Sequence, residues 1–240
     1  MINLDKEKLA QKKDTVFRYN IAMDKEDILE KFEKLSQELK ELQIVGQSED
    51  DDYIYLHLAN GNTIITLKPR DKSQIEIALM YGKFPTKLIR QIWYPKPTFC
   101  INLAKKAIKP LCLCGPAGIG KTYACIWKIA ELLKFRQINH PLYVPLQEIM
   151  NDEPKIFKKH DCYLLDDVNA NLPPWKIEII RSIIYHAYNN NKPCFITSNL
   201  DKKELFKLLH EEPIISRVLE MCEIYEVMDR DLRQNENHYA

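Results

Sequence analysis

Gly115-Pro116-Ala117-Gly118-Ile119-Gly120-Lys121-Thr122 decides how this chain is read. Only six glycines occur in the 240 residues, and three of them fall within this octapeptide. The stretch matches G-x-x-x-x-G-K-[ST], a loop whose main-chain N–H groups cradle phosphates. Glycine at Gly115, Gly118 and Gly120 lets the backbone turn tightly and approach an anion with no Cβ in the way. The N–H groups of the loop and of the helix opening at Tyr123 then face the β- and γ-phosphate oxygens. The nucleotide-binding set is therefore Gly115, Pro116, Ala117, Gly118, Ile119, Gly120, Lys121, Thr122 and Tyr123. Lys121 is expected against the β- and γ-phosphates of ATP, and the Thr122 hydroxyl on Mg²⁺.

The flanks agree with the motif. Leu111-Cys112-Leu113-Cys114 is a short apolar run of the kind that forms a buried parallel strand. From Tyr123 to Phe135, apolar residues at Ala124, Trp127, Ile129, Ala130, Leu132 and Leu133 recur at helical spacing. An accidental glycine turn before a helix is the ordinary alternative. At a typical glycine usage of roughly 7%, the four fixed positions match by chance in about one chain in a hundred. A strand before and a helix after make the accident rarer still.

A second signal lies some forty residues on. Cys162-Tyr163-Leu164-Leu165-Asp166-Asp167 is a mostly apolar strand ending in two carboxylates, the Walker B pattern. Asp166 is expected in the Mg²⁺ shell, and Asp167 is expected to position and polarise the attacking water. Many ATPases carry glutamate at that second position, so the shorter aspartate suggests slow turnover. Phe195-Ile196-Thr197-Ser198-Asn199 is another buried strand, and Asn199 at its end suits the sensor-1 role of orienting the water. A turn asparagine before the helix Lys202–Leu209 is the alternative. Arg217 is the one charged residue in the mostly apolar stretch Ile214–Leu219. It reads either as an arginine finger delivered to a neighbouring subunit's γ-phosphate or as a structural salt-bridge partner.

Composition limits the rest. A hydrophobic content of 45% and a charged content of 29% are ordinary for a soluble globular chain. A net charge of +1 provides no global basic field, so any nucleic-acid contact must be local. No apolar stretch approaches a membrane span, and the N-terminus lacks the core of a signal peptide, which leaves the cytoplasm as the expected compartment. Seven cysteines contain no C-x-x-C pair, and Cys112, Cys114, Cys162 and Cys194 sit inside expected strands. They read as small core hydrophobes rather than as metal ligands or disulfides.

Residues 1–43 read as helix, interrupted or capped near Asp24, with Ile28, Phe32, Leu35, Leu39 and Leu42 on one face. Glu49-Asp50-Asp51-Asp52 reads as a solvated loop. Two β-rich runs, Tyr53–Leu58 and Thr63–Leu67, flank Asn60-Gly61, a strong hairpin signal. His57 falls on the face opposite Ile54, Leu56 and Leu58 and reads as an exposed strand residue. This gives a small α+β domain over 1–82 suited to partner recognition, a proline-broken linker over 83–97 with a short helix at 88–93, and the nucleotide domain over 98–240. Within the latter, Thr98 caps a helix to about Ala107, Leu142–Leu146 forms a strand with Pro145 at an end or edge, and Trp175–Tyr188 forms a helix after Pro173-Pro174. Lys155, Lys158, Lys159 and His160 form a basic cluster, read as surface lysines or as a contact to single-stranded DNA.

The order of P-loop, Walker B, sensor 1 and arginine finger resembles an additional-strand AAA+ core. More narrowly, residues 98–233 resemble the DnaC/DnaI/IstB family of helicase loaders and transposition ATPases. The resemblance is carried by GPAGIGKT, LLDDV, ITSNL and the closing PIISRVLEMCEIYEVMDRDLR. It implies an α/β fold with a five-stranded parallel sheet, helices on both faces and no C-terminal lid. It implies an ATPase that self-associates through ATP interfaces and handles a replicative helicase on single-stranded DNA in replication, with Arg230 or Arg233 as a further nucleotide contact. Two alternatives stay open: an IstB-like ATPase acting on duplex DNA, and a nucleotide-bound scaffold that hydrolyses little.

Overall fold

The computed structural model describes residues 16–19, 25–38, 40–149 and 157–228. The chain divides into two compact units, 1–72 with 132–137, and 73–131 with 138–240.

The first unit is built on the expected hairpin. Strands β3 (Tyr53–Leu58) and β4 (Thr63–Leu67) pair antiparallel in the register His57↔Thr63 and Tyr53↔Leu67. Gly61 in the connecting turn has φ +82°. Burial alternates along β3, with Ile54, Leu56 and Leu58 inward and His57 exposed, as the period-2 pattern requires. That inner face packs with Ile64 against Ile28 and Phe32 of helix α1 (Lys25–Glu38) and against Leu42.

Two expectations change here. The helix read over 1–43 gives way at Val16–Tyr19 to a strand, β1, which pairs parallel with β4. Val16-Phe17-Arg18-Tyr19 is rich in β-branched and aromatic residues, and β4 offers it an open edge. Residues 1–15, Asp24 and Leu39 lie outside the described residues. Beyond Leu42 the chain forms a further strand, β2 (Ile44–Glu49), antiparallel to β3. The sheet order is therefore β1-β4-β3-β2. Glu49 belongs to that strand, and only Asp50–Asp52 form the loop. There Asp50 Oδ1 accepts from the main-chain N–H groups of Asp52 and Tyr53 at 3.0 and 2.8 Å, an Asx turn.

The second unit opens with helices α2 (Lys72–Tyr81, from Ser73 onward), α3 (Thr86–Gln91) and α4 (Phe99–Lys106). Thr98 caps α4 by accepting from Ile101 N at 3.1 Å, as expected. The sheet follows: β5 (Leu111–Cys114), β6 (Pro141–Pro145), β7 (Cys162–Val168), β8 (Cys194–Ser198) and β9 (Glu223–Glu226). All pairings are parallel, and the order is β6-β7-β8-β5-β9. Strand β8 thus lies between the P-loop strand and the Walker B strand, as the resemblance implies. Pro145 ends edge strand β6, where a missing N–H does least harm.

Helices α6 (Pro174–Asn189), α7 (Lys202–Leu209) and α8 (Glu212–Met221) pack on one sheet face through Ile180, Ile183, Leu205, Ile214 and Val218 against Cys112, Tyr163, Leu165 and Ile196. The opposite-facing Leu111, Leu113, Cys162, Leu164 and Phe195 are equally buried, so both faces are covered. All seven cysteines are free and buried, and burial pushes the thiols of Cys125, Cys162 and Cys194 well up. They are packing residues, as their strand positions suggested. Among the described residues no helix is long and apolar enough to cross a membrane.

Candidate active site

In a parallel sheet the loops at the C-terminal ends of neighbouring strands share one edge, and this is where the motif residues meet. The P-loop joins β5 to helix α5 (Lys121–Lys134). Gly115 has φ +137°, and a Cβ built there would lie 2.1 Å from the Val227 carbonyl oxygen. The loop entrance is also held by Gly115 N–H to Ser198 O at 3.2 Å and Val227 N–H to Cys114 O at 2.8 Å. Gly115→Ala is therefore expected to destabilise the protein by about 2–4 kcal/mol, combining a disfavoured backbone with overlap. Thermal unfolding checks this. A stabilised variant, the usual Gly→Ala result at unstrained sites, would contradict it.

Lys121 is only 6% exposed. Its Nζ donates to Gly115 O and Pro116 O at 2.7 Å each and to Asn199 Oδ1 at 3.1 Å. Burial lowers its pKa, opposed among others by the charges of Asp167 and Asp166. The ammonium thus points at carbonyl and amide oxygens, partners that phosphate oxygens can replace. Pro116 and Ala117 are exposed at the loop tip, while Ile119 is buried beneath it. The Tyr123 hydroxyl is turned away, donating to Gln91 O at 2.9 Å.

Asp166 and Asp167 are consecutive, and in a regular strand they would face opposite sides of the sheet. The β7–β8 register shifts between Leu165 and Val168, and Asp167 has φ +63°. Such a bulge re-aims side chains at a strand end. Asp166 Oδ1 accepts from the Thr122 hydroxyl and from the Thr197 hydroxyl, both at 2.6 Å, and its Oδ2 accepts from the Tyr143 hydroxyl at 2.6 Å. Asp167 N–H donates to Thr197 Oγ1 at 3.0 Å, and its carboxylate accepts from the Asn199 amide nitrogen. Asn199 consequently bridges Lys121 and Asp167, one end of its amide to each.

Tyr143 and Thr197 are partners that motif reading did not single out. Burial beside the Asp166 charge pushes the Tyr143 phenol far above its ordinary value, so it remains a donor. Thr197 stood within the quoted ITSNL run, but Tyr143 is placed only by the pairing of β6 with β7.

The arrangement suits Mg²⁺ and a nucleotide. Thr122 and Asp166 bring a hydroxyl and a carboxylate together, hard oxygen donors of the kind Mg²⁺ takes alongside phosphates and water. Among the described residues no group of three His, Cys, Asp or Glu side chains is placed to hold a metal by itself. Phosphate oxygens and water would complete such a shell. Beside the loop opens a cavity of about 230 Å³ lined by Cys114, Gly115, Pro116, Asn199, Asp201, Glu226, Val227 and Met228. A larger groove of about 620 Å³ runs along α6 and α7 and is lined by none of Lys121, Thr122, Asp166, Asp167 or Asn199.

Arg217 is not among the residues brought together. On α8 its guanidinium stacks over Tyr185 and Tyr188, 4.3 and 5.1 Å from the ring centroids, and Nη1 donates to Pro213 O at 2.7 Å. Its Nε is buried without a hydrogen-bond partner. Lys158 and Lys159 are exposed, and His160 is half-buried with Nδ1 3.1 Å from His140 O. Lys155, Arg230 and Arg233 lie outside the described residues.

No family model matches the chain. Over 144 residues, 53% of its length, it is 29% identical to the uncharacterized protein YqaM of Bacillus subtilis (strain 168). The chain spans about half the length of the curated relatives it matches, 45% and 53%. Among solved structures it is similar to DnaI, with 24% identity, 65% of this chain and 82% of that chain covered, and a TM-score of 0.42. It is also similar to a DnaC helicase loader, with 21% identity, 67% and 93% covered, and a TM-score of 0.41.

Proposed function

We propose that the chain binds ATP with Mg²⁺ at the P-loop edge, hydrolyses it, and acts in DNA replication in the manner of a helicase loader. The observation that carries the nucleotide reading is the meeting of Lys121, Thr122, Asp166, Asp167 and Asn199 through direct hydrogen bonds at one edge of the sheet.

In this reading the loop N–H groups and Lys121 bind the β- and γ-phosphates, and Thr122 and Asp166 hold Mg²⁺. Bound Mg²⁺ supplies charge neutralisation at the phosphate oxygens. Asn199 orients the attacking water, and Asp167 accepts its proton as the water oxygen bonds to the γ-phosphorus. The bond from that phosphorus to the β,γ-bridging oxygen breaks, leaving ADP and phosphate. Arg217 of a second copy completes the site, so ATP draws subunits together and hydrolysis resets the assembly.

The loader role is supported by the order and wording of the four motifs, and its partner class is the one in the name of the DnaC helicase loader. The test is the ATPase rate with no addition, with single-stranded DNA, with duplex DNA and with a replicative helicase, using Lys121→Ala as the blank. Stimulation by single strands or by the helicase supports the loader reading. Stimulation by duplex alone favours a transposition ATPase, and absence of turnover under every condition favours the scaffold.

Single-stranded DNA contact through the exposed Lys158 and Lys159 has its own readout. Changing both to alanine is expected to weaken binding and to flatten the slope of log K against log[salt] by about 1.4, roughly 0.7 per lost phosphate contact. Salt titrations of binding to a labelled oligonucleotide measure it. Unchanged affinity returns the cluster to ordinary surface.

A further inference from the structure

The carboxylate expected to hold Mg²⁺ is anchored from a strand that carries none of the nucleotide motifs. Thr122 and Thr197 both reach Oδ1 of Asp166, but Oδ2 is held by the Tyr143 hydroxyl of β6. Tyr143 is itself fixed. Its main-chain N–H donates to Gly82 O at 2.8 Å, and its ring packs against Phe84 with centroids 5.6 Å apart. Gly82 leaves no slack in that anchor, because a Cβ there would meet Pro141 O at 2.3 Å.

A carboxylate bound through one oxygen still rotates about its Cβ–Cγ bond and trades one oxygen for the other. Tying Oδ2 removes that freedom and leaves Oδ1 on the side of Thr122. Partners one layer out from a metal ligand typically contribute about 10–100-fold to metal affinity by such orientation. We infer that Tyr143 is a positioning residue for the metal carboxylate, its hydroxyl setting the rotation at which Asp166 presents Oδ1 to Mg²⁺ beside Thr122. This rests on the ATP·Mg²⁺ reading above and adds a residue to it.

The experiment is a titration of MgCl₂ into the full chain with the fluorescent nucleotide mant-ADP, comparing the parent, Tyr143→Phe and Lys121→Ala. Phenylalanine keeps the ring that packs on Phe84 and removes only the hydroxyl. In EDTA, Tyr143→Phe is expected to bind mant-ADP within about twofold of the parent, while its half-saturating Mg²⁺ rises about 10–100-fold. A parent whose binding depends on Mg²⁺, with a variant showing the same dependence, overturns the role of Tyr143 and leaves the nucleotide reading standing. A parent that binds no nucleotide, or binds it no better than Lys121→Ala, overturns both. A variant that loses mant-ADP binding in EDTA shows the hydroxyl to be needed for the site's fold, and that too rejects a positioning role.

Discussion

An Arg217→Ala protein is expected to bind ATP with the parent's affinity and to hydrolyse it about 10³–10⁵-fold more slowly, the range over which arginine fingers act. The expectation starts from how this arginine is held. Two tyrosine rings and one main-chain carbonyl contact its guanidinium, and no carboxylate among its described contacts neutralises it. Its buried Nε has no acceptor. Arginine–carboxylate pairs are frequently bidentate and strong, whereas here the rings cover the guanidinium and, among the described residues, only Nη1 is bonded, to a main-chain carbonyl. If the charge acts on a neighbour's ATP, Arg217→Ala mixed with Lys121→Ala should recover part of the activity. The first protein retains a working P-loop, and the second supplies the arginine. No recovery at any mixing ratio counts against action between subunits. A fall in thermal stability of about 0.5–1 kcal/mol, the contribution of the ring contacts, would then be the main effect of the substitution.

Asp167→Asn carries the second large expectation, a loss of about 10²–10⁴ in turnover with nucleotide affinity retained, as for removal of a general base. The substitution suits the backbone, since asparagine is among the few residues that adopt the left-handed conformation Asp167 occupies at φ +63°. Asparagine Oδ1 also still accepts from the Asn199 amide. What is lost is the negative charge and the ability to take the water's proton. Steady-state ATPase and mant-nucleotide binding measured side by side separate chemistry from affinity. If both remain at the parent's level, Asp167 is not the base. If the parent itself shows no turnover, the scaffold reading gains.

Much of the second unit is legible along the chain. The P-loop, the apolar runs at 111–114, 162–165 and 194–198, and the helices at 121–134 and 174–189 announce themselves because their signals are local. Such signals are glycines where φ must be positive, period-3.6 apolar faces, and continuous apolar runs for strands buried on both sides. The first unit was less legible for the same reason. Val16–Tyr19 and Ile44–Glu49 are short and weakly patterned, and their strand state depends on the open edges that β4 and β3 offer. The helical pattern read over 1–43 runs across the first of them, and the second falls between that helix and the acidic run at 49–52.

By itself, then, the sequence determined that a phosphate-cradling loop lies between a buried strand and a helix, and that paired carboxylates and a polar strand end follow it. Tertiary structure alone decided how these meet. Parallel pairing of β7 with β8 sets Thr197 against Asp166, and pairing of β6 with β7 brings the Tyr143 hydroxyl to the other oxygen. A bulge at Asp167 aims a second carboxylate at the Asn199 amide that also touches Lys121. Those bonds join residues 23 to 78 positions apart. No local pattern encodes such a span, because strand order and register arise only when the whole sheet buries its two faces at once.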